Sequence, residues 1–114
     1  MSKKVKIITR LVDELTSWLL NETYTQVDVS IIPMDEGIEL RFVHYNSTMT
    51  DKRMEEIRSV LNQERQIEME SYYWPLIGES NDEESLQLVG RMTDTAVVER
   101  FDKDVTLMIY RKKL

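Results

Sequence analysis

The stretch from Ser80 to Lys113 restricts the fold more than any other part of the chain. Ser80 and Glu83 stand at the spacing of a capping box, and Asn81 with Glu84 repeats it one residue later. In that motif the two side chains satisfy backbone N–H groups that a helix start leaves unpaired. Leu86, Val89 and Met92, with Leu88 beside them, then supply an apolar helix face. The period falls from 3.6 to 2 at Ala96. Ala96–Asp102 alternates, Asp102-Lys103-Asp104 makes a tight turn, and Val105–Tyr110 alternates back. A capped helix that runs straight into a hairpin lays its stripe on one face of a sheet.

The preceding residues read as helix, hairpin, helix and an irregular connector. Lys3–Leu20 carries Val5, Ile8, Val12, Leu15 and Leu19 at 3-4 spacing, widened by Leu11 and Trp18. So broad a stripe exceeds what one sheet contact needs, and it would also support pairing with a second copy through this helix. In Tyr24–Ile32, Val27, Val29 and Ile31 alternate with polar residues as in a half-buried strand. Pro33–Gly37 reads as a turn, with Gly37 accepting positive φ, and Ile38, Leu40 and Phe42 mark the returning strand. Thr50 or Asp51 caps a second helix, to about Arg65, with Met54, Ile57 and Leu61 as its stripe. Gln66–Tyr72 alternates loosely and leads into Tyr72-Tyr73-Trp74-Pro75. These aromatics either tuck the connector onto the core or anchor a ligand or partner. The order is α-β-β-α-α-β-β, an α+β two-layer sandwich with helices on one face of a largely antiparallel sheet.

A chain of 114 residues makes one domain, 1–114. It has no cysteine, which removes disulfides and thiolate chemistry. Thr9, Arg10, Asp13 and Glu14 break up the apolar residues after the basic start, so neither a signal peptide nor a membrane span is expected, and a cytoplasmic location is. The triplets at Asn21 and Asn46 are then chance glycosylation matches. A net charge of −6 argues against a nucleic-acid partner, because phosphates are held by Lys and Arg. The charge is uneven: Lys3, Lys4 and Lys6, and Arg111, Lys112 and Lys113, are basic, while 64–104 is mostly acidic. The ends are solvated faces or, alternatively, a basic patch where they meet.

Leu86-Gln87-Leu88-Val89-Gly90-Arg91-Met92-Thr93-Asp94, Val97-Val98-Glu99 and Val105–Lys112 resemble the C-terminal part of the histidine-kinase-like (GHKL) ATPases, in particular the short anti-sigma-factor serine kinases. The first helix and hairpin, to Asn46, fit the same order of elements. The resemblance spans 1–46 and about the last thirty residues, and the middle is unmatched. It implies four functional parts. A Glu on the first helix would be the base, a place open to Glu14, but Trp18 stands where an Asn would ligate magnesium. An indole has no oxygen to give a hard cation. Read without the resemblance, Glu14 is a surface residue paired with Arg10. Asn46 stands near the place of the adenine-binding Asp, without the glycines that follow it. His44 beside it is the single histidine and reads as structural, with no partners for a metal. Glu83 and Ser85 replace glycines of the phosphate loop, and Asp82, Glu83 and Glu84 put like charge where a triphosphate would approach.

No other catalytic constellation replaces the missing parts. The expectation is a non-catalytic regulatory or scaffold protein that acts through protein contacts, with no cofactor and no metal. Leu11, Trp18, Tyr72, Tyr73 and Trp74 are its candidate partner-binding residues. A sigma factor or an anti-anti-sigma protein is the partner the resemblance implies. One alternative is a divergent Mg-ATP-dependent serine kinase using Glu14 and Asn46. Another is an unrelated α+β domain holding a small apolar ligand beneath the aromatic segment.

Overall fold

The computed structural model describes residues 2–77 and 82–113, without the side chains of Asp82 and Glu83. The elements are α1 (Lys3–Glu22), β1 (Val27–Met34), β2 (Gly37–His44), α2 (Asp51–Leu61), the short α3 (Glu70–Tyr73), α4 (Asp82–Gly90), β3 (Thr95–Phe101) and β4 (Asp104–Lys112). With the one-turn α3 set aside, this is the α+β order α-β-β-α-α-β-β, and the four strands pair antiparallel in the order β1-β2-β4-β3. The two hairpins lie side by side, joined where β2 meets β4.

Caps and periodicity account for the element starts. Ser2 Oγ accepts the Val5 N–H at 3.2 Å and begins α1. Thr50 Oγ1 accepts the Arg53 N–H at 3.1 Å and begins α2. The capping boxes at Ser80–Glu83 and Asn81–Glu84 lie outside the described residues. Leu40 and Phe42 of β2 join Leu107 and Ile109 of β4 in one inward row. Met54, Ile57 and Leu61 of α2, with Leu86 and Val89 of α4, are buried in the same core cluster as that row, as their spacing requires.

Three local expectations are corrected. Pro33 does not end the strand; it continues β1, opposite Ile38, and the turn is Asp35–Glu36. Proline is tolerated there because β1 is an edge and an outward position needs no N–H for the ladder. Gly37 is not in a left-handed conformation: it is the first residue of β2, and a Cβ on it would run into the Arg111 carbonyl oxygen of β4. Its value is close approach between strands. The second helix stops at Leu61, short of Arg65, and the connector winds into short helical turns around α3 instead of alternating.

Among the described residues no helix is long and apolar enough to cross a membrane.

Candidate functional site

The places singled out by the kinase resemblance are built as follows. Glu14 is buried, at 9% exposure, which corrects its reading as a surface residue. Trp18, one turn on, is 3% exposed, and the Arg53 guanidinium lies 5.4 Å from its ring centroid. Asn46 is exposed and left-handed, with φ 50°, and its N–H donates to Asp104 Oδ1 at 3.0 Å. That bond and Ser47 N–H to Lys103 O at 2.9 Å tie the end of β2 to the β3–β4 turn. His44 is fully buried and its Nε2 sits 2.9 Å from the Thr23 carbonyl oxygen. A carbonyl only accepts, so Nε2 donates to it, and Nδ1 is buried with no hydrogen-bond partner. His44 therefore anchors the end of α1 to the sheet. Among the described residues no group of His, Cys, Asp or Glu is gathered to hold a metal.

The candidate partner-binding residues are not brought to one surface. Leu11, at 0%, and Trp18 are core. The wide stripe of α1 is taken up because α1 packs on both the first hairpin and α4, so these side chains present no surface to a partner or second copy. Tyr73 and Trp74 are half-buried against the core, while Tyr72 is 68% exposed. Arg10 of α1 holds this segment: its Nη1 donates to the carbonyls of Trp74, Pro75 and Ile77 at 3.3 to 3.4 Å, and its guanidinium faces the Trp74 ring. Tyr73 Oη donates to Gln66 Oε1 at 2.6 Å. The cleft beside Trp74 is polar, lined by Lys6, Thr9, Arg10 and Asp13, and is ill suited to a small apolar ligand.

The apolar concavity lies between α1 and the first hairpin. It is a groove of about 370 Å³ with Val5, Ile8, Ile31, Pro33 and Ile38 among its walls. Lys4, Lys112 and Lys113 stand at its mouth, and a second hollow opens beside it between Lys3, Arg65 and the same C-terminal residues. The two basic segments therefore do meet. Arg111 and the neighbouring Arg65 are already committed. Glu70, 8% exposed, receives Arg111 at 2.6 Å and Arg65 at 3.2 Å, and Arg65 also reaches Asp94 at 2.9 Å. Lys4, Lys112 and Lys113 have no carboxylate partner among the described residues.

Sequence reasoning missed Val5, Ile31 and Pro33 as surface residues. Alternation marks a strand face as apolar, but not whether a helix covers it. It also missed Glu70, since nothing in an acidic chain distinguishes one carboxylate destined for burial. The chain matches no protein-family model, no curated protein and no solved structure.

Proposed function

We propose that this chain is a non-catalytic regulatory or scaffold protein that works through protein contacts, on a GHKL-like scaffold without the nucleotide machinery. The observation that carries the reading is the groove between α1 and the first hairpin, with its apolar walls and lysine mouth. A concave apolar surface accepts the anchor side chains of a partner, and unpaired rim lysines steer an acidic segment toward it. Trp18 supports the loss of nucleotide chemistry, because a buried indole offers magnesium no oxygen. The partner implied by the resemblance is a sigma factor or an anti-anti-sigma protein.

Mg-ATP provides the test. A nucleotide at 100 times its Kd would raise stability by about 2.7 kcal/mol. The expected result is an unchanged melting temperature at millimolar Mg-ATP; a clear rise would overturn the reading in favour of a kinase. In parallel, the Lys112→Glu, Lys113→Glu double variant should keep the native melting temperature and lose a partner that the native chain retains.

A further inference from the structure

The two margins of the sheet are treated differently. Along β3 the outward groups of Ala96 and the outward carbonyl of Val98 are occupied by α2 and its C-cap. Asn62 Nδ2 donates to the Ala96 carbonyl at 2.9 Å, Asn62 Oδ1 accepts the Ala96 N–H at 3.0 Å, and Arg58 Nη2 donates to the Val98 carbonyl at 2.6 Å. The amide of Asn62 stands in for a neighbouring strand. Along β1 nothing comparable exists. Pro33 has no N–H, so Pro33 and Ile38 cannot be a hydrogen-bonded pair of the hairpin. Antiparallel pairs alternate, so Val27, Val29 and Ile31 also direct their N–H and C=O groups away from β2. Among the described residues no side chain or backbone group meets them. Their side chains share a face with Phe42 and Leu40. Yet Val29 is 39% and Ile31 47% exposed where Leu40 and Phe42 are buried.

We infer that the occupant of this margin is the β1 strand of a second copy, paired antiparallel about a twofold axis at Val29, so that two sheets join into one. The strand is self-complementary in that register and in no neighbouring one. Centring on Val29 sets Val27 opposite the partner's outward Ile31 position and Val29 opposite itself, which matches every outward donor with an acceptor and leaves Pro33 outside the bonded pairs. The apolar inward row meets its own copy, and Asp28 falls opposite Ser30. Centring on Asp28 would oppose two carboxylates, and centring on Ser30 would set Pro33 in a bonded pair where it has no donor. Joining the inward rows also covers Val29 and Ile31. Ile31 belongs to both the groove and this seam, whereas Val29 lies outside the groove lining, so a cross-link at Val29 reads the seam apart from the groove.

The native chain is examined by sedimentation equilibrium, and a concentration-dependent dimer is expected. Ile31→Lys changes a side chain already open to water, so the fold survives and the dimer is lost. Val97→Lys, at an exposed position of β3, leaves the dimer intact. The chain contains no cysteine, so Val29→Cys should form a disulfide dimer under mild oxidation. Val27→Cys and Ile31→Cys should cross-link to each other when mixed and far more slowly each to itself. A native chain that stays monomeric overturns the inference and leaves the margin to a strand from another protein. A dimer that survives Ile31→Lys, or cross-links at Val97→Cys rather than Val29→Cys, overturns it equally.

Discussion

A Cβ on Gly90 would land on the carbonyl oxygen of Val60, which also accepts from Gln63 Nε2 at 2.9 Å. α4 and α2 approach at this point through bare backbone. Replacing glycine by alanine inside a helix ordinarily gains about 1 kcal/mol. Here the obstacle is backbone and cannot swing aside, and forced overpacking costs about 1–3 kcal/mol. Gly90→Ala should therefore lower the urea midpoint without changing the slope. Asp28 supplies a second case. Its carboxylate accepts from the Gln26 amide and then from the Tyr45 hydroxyl at 2.7 Å, which lowers its pKa below the ordinary 3.8. The same contact raises the pKa of Tyr45 above 10.0. The Asp28 contribution to stability is thus present above pH 3.8 and lost as pH falls through the lowered value. That of Tyr45 is full below pH 10.0 and lost as pH rises through the raised value. In Tyr45→Phe, NMR titration should find the Asp28 pKa moved up toward its ordinary value, though not fully, since Gln26 remains.

Among the elements, the connector between α2 and α4 is held by charge rather than by periodicity. Glu70 receives two guanidinium groups, and the side chains of Arg65 and Arg111 are 5% and 14% exposed. Removing Glu70 leaves Arg111 without a carboxylate partner among the described residues, while Arg65 keeps Asp94, and stranding a buried charge in this way costs about 3–5 kcal/mol. Glu70→Ala should fall in that range by urea denaturation. It should also speed amide exchange in α3 and the turn at Trp74 before the sheet is affected. The difference in origin explains what could be read beforehand. Met54, Ile57 and Leu61 repeat at helical spacing and all reach the core. Glu70 meets Arg111 across 41 positions, and no local pattern encodes such a contact. Leu11 and Trp18 lie between these cases: their place on the apolar face was evident, but the second packing partner of their helix, α4, was not.

For the whole molecule, the order of elements and the two-layer arrangement followed from periodicity and turn residues, because each hairpin and helix is encoded within a short window. The strand order and the identity of the open margin depend on contacts between windows. The groove arises the same way, from Val5 on α1 meeting Ile31 and Pro33 on β1. Neither half announces a concavity by itself. Asn62 and Arg58, the side chains that stopper β3, have a consequence for growth. A slab with two adhesive rims can accrete copies without end, as fibrils do. With β3 blocked at Ala96 and Val98, the inferred contact uses the β1 rim alone, and a symmetric handshake consumes it on both molecules at once. Assembly through that rim halts at a pair, whatever the supply of further chains.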